Sequence, residues 1–270
     1  MNVDQIRFLI FIGVFAVLLG LERLIPRHPT VDSKLRRMGI NLGLTGIDIV
    51  VVKLLLSTAA VGAAAFAAER GWGLFNYLDW PAWVEVALTV VFLDFMIYLQ
   101  HVVVHMIPFF WRFHIVHHSD LDLDVTSALR FHPIEILGSM LFKMGLVLAL
   151  GPSVIAVVIF EAVLNGMAQF SHSNIRLPDA LDRMLRLLLV TPDMHRIHHS
   201  EVMRETNSNF GFNLSIWDRM LGTYIADGQK PQPEIVIGVP QYKKPEQLTF
   251  GRVMLLPVHA APQGSPPASS

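Results

Sequence analysis

Three groups of histidines stand in a largely hydrophobic chain, and their spacing suits metal binding. They are His101 and His105, then His114, His117 and His118, and, about eighty residues later, His195, His198 and His199. A helix advances about 100° per residue, so side chains three or four residues apart share one face. Neutral imidazole binds iron, copper, zinc and nickel, whereas magnesium and calcium prefer oxygen. Eight imidazoles exceed the four that one zinc ion takes, so the pattern predicts two metal ions in one pocket.

The composition predicts an integral membrane protein. The 270 residues are 53% hydrophobic and 16% charged, and the mean hydropathy is +0.48, above ordinary soluble domains. A net charge of −1 provides no basic field for nucleic acid, so that partner class is excluded. The absence of cysteine excludes disulfides, iron–sulfur clusters and thiolate ligands. No phosphate-binding glycine motif occurs, so we expect no bound nucleotide or flavin.

The apolar stretches predict an all-α integral membrane protein with about four to five membrane helices. The stretches lie at about 7–26, 40–68, 82–105, 135–150 and 153–169. We interpret the first as an uncleaved helix and not a signal peptide, because no small-residue cleavage site follows it. Gly151 and Pro152 separate the last two stretches, which we expect to form a helical hairpin that enters the bilayer and returns to the same side.

Basic residues predict that the histidine cluster lies on the cytoplasmic side. The loop after the first span contains five arginines and lysines, whereas the loop after the second contains only Arg70. Positively charged loops stay in the cytoplasm, and the later spans return both triplets to that side. We expect one membrane-embedded catalytic domain at 1–255, with its histidine core at 85–225 and a cytoplasmic histidine-rich helical cap that includes a strand-like run at 234–239. The proline- and serine-rich segment 256–270 is predicted to be a disordered tail.

Five stretches around the histidines carry a further signal. They are DFMIYLQHVVVH (94–105), WRFHIVHHSDLDLDVTSALRFHP (111–133), FSHSN (170–174), TPDMHRIHHS (191–200) and NFGFNLSIWDRMLGTY (209–224). Their order and spacing resemble the fatty acid hydroxylase/sterol desaturase superfamily of membrane di-iron oxygenases. The resemblance covers roughly residues 85–225.

The resemblance implies two irons, dioxygen as co-substrate and oxidation of an unactivated C–H bond in a lipid. The electrons would come from an external donor protein such as a reductase, a ferredoxin or a cytochrome. By the resemblance, the metal ligands are His101, His105, His114, His117, His118, His195, His198 and His199, with His172 as a ninth. The di-iron cluster itself is the catalytic centre, and no separate acid or base is assigned.

Five further residues are candidates to support the ligands from a second layer. Asp94 and Tyr98 lie on nearly the same helix face as His101, and Glu161 lies on nearly the same face as His172. A charge inside an apolar span is expensive and usually functional, although a packing role for Asp94 is the alternative. His132 and Asn209 complete the set, and Asn209 also suits a turn. The acids after the first triplet are either further partners or solvated, and His28 and His259 receive no role.

The leading hypothesis is therefore a membrane di-iron monooxygenase that hydroxylates a lipid such as a fatty acyl chain or a sterol. A desaturase is the alternative within the same family, because the same oxidant can remove a second hydrogen. A histidine-rich metal transporter or metal-binding membrane protein is the alternative from another class. The identity of the lipid and the choice between iron and zinc in a purified sample stay open.

Overall fold

The computed structural model describes residues 3–56 and 59–259, and within these ranges the chain forms helices and isolated β-bridges but no strand. The long helices are α1 (Val3–Leu24), α2 (Lys34–Leu56), α3 (Ala59–Arg70), α4 (Ala82–Met106), α6 (Pro133–Leu150) and α7 (Val154–His172). The short helices are α5 (Pro108–His118), α8 (Asp179–Leu185), α9 (Pro192–His198), α10 (Met203–Thr206), α11 (Ile216–Leu221) and α12 (Phe250–His259). The predicted all-α fold class is confirmed.

Five segments of the described chain are long and apolar enough to cross a membrane. They are 5–24, 34–77, 82–106, 133–150 and 154–172, with mean hydropathies of 1.7 to 2.2. At a rise of about 1.5 Å per residue, about twenty helical residues cover the hydrocarbon core of a bilayer. The second segment contains two helices, α2 and α3, and Ala59 at the start of α3 has a positive φ of 50°. Regular helix is interrupted there, because a non-glycine residue rarely adopts such an angle.

The predicted hairpin is formed by α6 and α7, which are joined at Gly151. This glycine has a φ of 65°, and its N–H closes α6 by donating to the carbonyl of Val147 at 2.8 Å. A Cβ at Gly151 would lie 2.3 Å from the carbonyl oxygen of Trp72, so the close approach of the turn after α3 requires glycine here. α3 packs against both arms of the hairpin. Nearer the histidines, a cavity lies between α6, α7 and α4.

A buried ionic cluster joins the start of α2 to the loop after α5. The guanidinium of Arg37, whose residue is 1% exposed, donates to Asp120 at 2.6 Å and to Asp124 at 2.7 Å. Asn41, one turn further along α2, also donates to Asp120. Burial opposes ionisation of Asp120, but Arg37 and Arg130 outweigh it and hold the pKa of this carboxyl below its ordinary value. These loop acids are therefore partners of arginine and not solvated groups.

A buried glutamate attaches the end of α1 to the same region. The Oε1 atom of Glu22 accepts hydrogen bonds from the backbone N–H groups of Val125 at 2.6 Å and Asn174 at 3.0 Å. These two residues follow the first histidine triplet and His172, respectively. One carboxylate of α1 therefore fixes two loops that leave the histidine region.

The loop before α11 is attached to α4 through Asp94. Its carboxylate accepts hydrogen bonds from the backbone N–H groups of Asn213 and Leu214 and from the indole of Trp217 at 2.8 Å. The neighbouring Asp218 accepts from two further backbone N–H groups, at 2.7 and 2.9 Å. The loop before α11 is thus held by two carboxylates, which satisfy buried backbone donors that have no helical partner.

The C-terminal part of the described chain differs from two predictions. The strand-like run at 234–239 contributes only an isolated β-bridge, between Ile237 and Ser200. α12 packs against α5 and reaches His259, with Leu256 and Pro257 buried, so residues 256–259 are helical and not part of a disordered tail. Leu256 packs in a core cluster with Trp111 and Ile115 of α5. Residues 260–270 lie outside the described residues.

Replacing Arg37 with methionine should lower the free energy of unfolding by about 3–5 kcal/mol, because Asp120 and Asp124 would stay buried without their cation. Thermal unfolding of the purified protein in detergent should show a lower midpoint. Arg23→Met, at an exposed position of α1, is the matched control and should change the stability by no more than about 0.5 kcal/mol. Equal midpoints for the two variants would contradict the structural role of Arg37.

Candidate metal centre

The nine histidines predicted as ligands come together in two buried groups. Group one contains His101, His105, His114, His118 and His198, and group two contains His117, His172, His195 and His199. Within each group, the ligand nitrogens lie within 4.8 Å of one another. Each sequence triplet is divided between the groups, since His117 joins group two and His198 joins group one. A histidine box of the sequence therefore does not correspond to one metal position, and His28 and His259 lie outside both groups.

The ends of four helices bring these side chains together. α4 and α7 supply histidines from their last turns, while α5 and α9 supply one triplet each. Both short helices begin with proline, Pro108 and Pro192, whose fixed φ suits the first helical position. The Thr191 side chain caps α9 by accepting a hydrogen bond from the N–H of Met194. Short, well-terminated helices thus orient the triplets against the ends of the membrane helices.

Backbone carbonyl oxygens fix the Nδ1 side of four rings. The pairs are His101 with Phe210 at 2.7 Å, His117 with Arg130 at 3.2 Å, His172 with Ala168 at 2.7 Å and His198 with Ser208 at 2.7 Å. Since a carbonyl only accepts, Nδ1 carries the proton in each ring and the lone pair lies on Nε2. The same anchoring of the second nitrogen orients histidine ligands in metal sites generally.

The Nε2 atoms of two anchored rings, His117 and His172, face each other at 3.1 Å. The Nε2 atom of His172 also lies 3.2 Å from the Nε2 atom of His195. In the first pair both nitrogens present lone pairs, which repel each other unless a cation lies between them. The Nε2 atoms of His105 and His198 are buried and have no hydrogen-bond partner among the described residues. Converging lone pairs and buried acceptors without donors fit metal ions, so the two groups can bind metal.

Four histidines of the two triplets are held in the neutral form by burial. Burial and then the neighbouring imidazoles lower the pKa of His118, His195 and His199 well below the ordinary value. Burial also lowers the pKa of His198, to about 3, although the Ser208 carbonyl opposes this shift. A metal ligand has to be the unprotonated ring, so at neutral pH no proton must be displaced from these nitrogens before a metal binds.

The five predicted supporting residues do not touch the histidine rings through hydrogen bonds in the described part of the chain. Asp94 binds the cap backbone and Trp217, as described above. The hydroxyl of Tyr98 lies 2.9 Å from the hydroxyl of Thr223, and Glu161 forms a salt bridge with Arg7. Each of the three shares a helix face with a histidine, but a nearer partner on another element takes its polar group.

His132 and Asn209 also have structural contacts. The ring of His132 accepts a hydrogen bond from the N–H of Ile134 at 3.2 Å and so caps α6. Asn209 has a positive φ of 51°, and its side chain donates to the carbonyls of Met194 and Ile225. The alternative interpretation of Asn209 as a turn residue is therefore the one that its contacts support.

Glu135 is a carboxylate that contacts a histidine ring and that the sequence patterns did not predict. Its Oε1 atom lies 2.6 Å from Nδ1 of His114. Asn207 has the corresponding place on His105, with its Oδ1 3.4 Å from Nδ1. Glu135 is a charged residue in the first turn of an apolar span, and such a charge needs a partner. Its position could therefore have been used to predict a contact with a histidine. For Asn207 the sequence held no comparable signal.

A cavity of about 150 Å³ adjoins both groups and lies between α4, α6 and α7. His101, His114 and His172 line it, together with apolar side chains such as Ile97 and Leu164. It also contains the polar side chains of Gln100, Glu135, Ser139, Lys143 and Asn165. The histidines therefore border a cavity between the membrane helices.

An apolar groove of about 470 Å³ lies on the other side of α4 and α6. Phe109, Phe110 and Phe113 of α5 form one wall of this groove. The groove and the inner cavity share four lining residues, Gln100, Val104, Glu135 and Ser139. Between the two spaces, the Ser139 hydroxyl donates to the side-chain amide oxygen of Gln100 at 3.3 Å. This hydrogen-bonded pair therefore stands between the groove and the cavity that the histidines line.

Replacing Glu135 with glutamine should weaken metal binding by about 10–100-fold, because His114 loses the carboxylate that orients its ring. Competition with a chelator of known affinity measures the change, and zinc is a sufficient probe. Glu246→Gln, at an exposed position in the cap, is the control with the same chemical change. Unaltered metal affinity in Glu135→Gln would contradict the orienting role of this carboxylate.

A comparison with protein-family models matches residues 86–223 to the fatty acid hydroxylase family. The match spans both histidine triplets, His172 and the helices that carry them. No solved structure matches the chain significantly.

Two curated relatives illustrate the similarity. An ornithine lipid hydroxylase of Rhizobium tropici is 30% identical over 227 residues, which are 80% of this chain and 66% of that protein. An alkylglycerol monooxygenase of Xenopus tropicalis is 31% identical over 200 residues, 71% of this chain and 42% of that protein. The chain thus spans less than two thirds of the length of these relatives. Because the family model covers more than half of the chain, including all nine clustered histidines, the chain belongs to the fatty acid hydroxylase family.

Proposed function

We propose that this protein is a membrane di-iron monooxygenase that hydroxylates an unactivated C–H bond of a lipid. The observation that carries the proposal is the convergence of imidazole lone pairs in two buried groups beside a cavity within membrane helices. A lipid-modifying activity is also supported by the relatives, whose names describe the hydroxylation of ornithine lipid and the monooxygenation of alkylglycerol.

The nine histidines of the two groups are the proposed iron ligands, with one iron in each group. Five imidazoles in group one and four in group two supply enough nitrogen for two ions. Nitrogen-only sites suit iron, zinc and copper. Iron is proposed because a C–H oxidation needs a redox-active metal, which zinc is not. When bound, the two irons supply the activation of dioxygen.

The overall reaction requires electrons that the chain does not hold. One lipid C–H bond, one dioxygen, two electrons and two protons give one C–OH bond and one water. We propose that an external reductase, ferredoxin or cytochrome supplies the two electrons. The protein's own part is to keep water away from the reacting carbon, for which the apolar cavity walls are suited.

A lipid chain is the proposed substrate because the histidines adjoin apolar space at the depth of the membrane helices. The groove under the α5 phenylalanines faces outward between α4 and α6, and Gln100 and Ser139 stand between it and the inner cavity. Separation of this hydrogen-bonded pair would let an alkyl chain pass laterally from the bilayer to the histidines.

The histidine cluster is proposed to lie on the cytoplasmic side of the membrane. The basic loop between α1 and α2 contacts the cap directly, since Arg27 forms a two-point ion pair with Asp193, at 2.7 and 3.0 Å. The N–H of Val31 in the same loop donates to Asp122 at 2.8 Å. If the positively charged loop is cytoplasmic, the histidines beside it are as well.

A transporter fits these observations less well. Transporters hold their ions near the bilayer midplane, where helices are broken. Here the histidines stand in the last turns of α4 and α7 and in the cap helices. A desaturase would use the same site and is distinguished by its product.

Purified protein loaded with iron should contain about two irons per chain and consume dioxygen when given a reductant and a lipid extract. Mass spectrometry of the lipids should reveal a gain of about sixteen mass units, whereas a loss of two would indicate a desaturase. His117→Ala and His198→Ala each remove one proposed ligand, one from each group, so turnover should be abolished. The matched control, His28→Ala, lies outside both groups and should retain it. Full turnover in either ligand variant would contradict the assignment.

Single introduced cysteines test the orientation cleanly because the natural chain contains none. Thr30→Cys lies in the loop between α1 and α2, and Asp79→Cys lies between α3 and α4, both at exposed positions. A membrane-impermeant maleimide should label the second variant in intact cells and the first only after permeabilisation. The opposite pattern would overturn the cytoplasmic assignment.

A further inference from the structure

Five large apolar side chains of the cap are exposed on α8, on the residues directly after it and on α11. Met184, Leu187 and Leu188 are 60%, 66% and 55% exposed, and Met220 and Leu221 are 68% and 53% exposed. We call these five residues the α8–α11 surface. Single apolar residues are common on protein surfaces, but a group of this kind marks a site of contact with lipid or with protein.

Hydrogen bonds hold the two parts of this surface together. The backbone N–H of Ser215, just before α11, donates to the carbonyl of Leu188 at 3.0 Å. The guanidinium of Arg219 in α11 donates to the carbonyl of Arg186 at 2.9 Å. The five exposed side chains therefore extend from one continuous unit of the cap.

This unit lies beside the middle of α4. The ring centroid of Trp217, whose indole binds Asp94, lies 4.9 Å from that of Phe95. One turn further along α4, the hydroxyl of Tyr98 lies 2.9 Å from that of Thr223, two residues after α11 ends. α11 thus packs along a part of α4 that is far from either end of this membrane-spanning helix.

The start of α4 marks the membrane face opposite the histidines. Glu85 accepts a hydrogen bond at 2.5 Å from the N–H of Ser153, in the turn of the α6–α7 hairpin. Tyr77 and Trp83 near this end of α4 are 78% and 74% exposed. Tyrosine and tryptophan concentrate where a membrane meets water, so the hydrocarbon core begins close to Glu85.

Helix geometry gives the depth of α11. At a rise of about 1.5 Å per residue, Asp94 lies about 14 Å and Tyr98 about 20 Å along α4 from Glu85. The hydrocarbon core is about 30 Å thick, so its other boundary lies about 10 Å beyond Tyr98. A typical helix tilt of about 20° changes these depths by only about 1 Å. The depth of α11 therefore corresponds to the acyl chains of the leaflet on the histidine side.

We propose that the α8–α11 surface is embedded in the leaflet on the histidine side and packs against lipid acyl chains. Continuity with α4 supports lipid as the partner. Leu88 and Phe92 of α4 are exposed, and they share a helix face with Phe95. Phe95 in turn contacts Trp217 of α11. The apolar wall that α4 presents to the bilayer thus continues onto the cap.

Two arginines of this unit have partners inside the protein. Arg186 forms a salt bridge with Asp182, one turn earlier in α8. The guanidinium of Arg219 lies 3.8 Å from the ring centroid of Tyr224, which is a favourable contact for a cation in an apolar environment. These contacts reduce the cost of placing the two charges within a leaflet.

The exposed charges of α8 lie towards its other end. The segment before α8 is held next to the end of α1, because the N–H of Arg176 donates to the carbonyl of Ile25 at 2.8 Å. Asp179 and Arg183 are exposed on α8 between this attachment and the apolar residues. The long side chain of Arg183 can extend to lipid phosphates at the membrane surface while the apolar residues remain in hydrocarbon.

Fluorescence quenching at single cysteines tests the depth of this surface, since the natural chain contains no cysteine. Leu187→Cys and Met220→Cys are labelled with bimane in the full-length protein, which is reconstituted into vesicles of phosphatidylcholine and phosphatidylglycerol. Lipids with brominated acyl chains should quench both labels as strongly as a label at Ile49→Cys, which is 61% exposed in a membrane-spanning segment. Iodide in the buffer should quench them only weakly.

Glu246→Cys, at an exposed position of the cap, is the matched control. Iodide should quench its label strongly, and brominated lipid should not. Iodide quenching of Leu187→Cys or Met220→Cys to the extent found for Glu246→Cys would overturn the proposal, because the surface would then lie in water. Shielding of either label from both quenchers would also overturn it, since another protein surface, such as a second copy of this chain, would then cover the position.

Both substituted side chains are exposed, so neither replacement removes a contact from the core. The measurement requires no metal, dioxygen or reductant. A failure of the oxygenase assignment would therefore leave its outcome unchanged.

Discussion

The donation of Nδ1 protons to backbone carbonyls governs the rest of the site. Once Phe210, Arg130, Ala168 and Ser208 accept these protons, the Nε2 lone pairs have to face inward. Imidazoles packed in this way repel one another in the absence of a cation. The surrounding structure must therefore hold the rings in position, and the buried carboxylates Glu22, Asp94 and Asp120 hold the loops and helices from which the rings extend.

Each of these carboxylates connects the cap to a different membrane helix. Glu22 belongs to α1, Asp94 to α4, and Asp120 reaches Arg37 of α2. The cap is thus attached at three points around the histidines, and the apolar faces of α5 and α12 close one side. The buried carboxylates mainly form these attachments. The helix faces toward the bilayer are apolar.

The sequence predicted the membrane spans, the hairpin turn and the nine clustered histidines, because hydropathy, a glycine–proline break and ligand type are local signals. It did not predict how the histidines are divided between the two groups. The places of His117 and His198 depend on the angle at which α5 and α9 meet. The supporting residues were predicted least well. Helical periodicity assigned Asp94 and Glu161 to faces that also carry histidines, but periodicity cannot tell which neighbour on another helix lies closer. Glu135 was missed because its partner, His114, is on a different helix.

The division of the triplets between the two groups has a consequence for how such a protein can be built up. Four of the five histidines of group one lie within 101–118, and His198 from the far end of the core completes the group. Group two likewise needs His117 from the first half and three histidines from the second. Neither half of the chain contains a whole histidine group, so one half transferred to another protein would carry neither group complete. Both groups therefore require both halves of the chain.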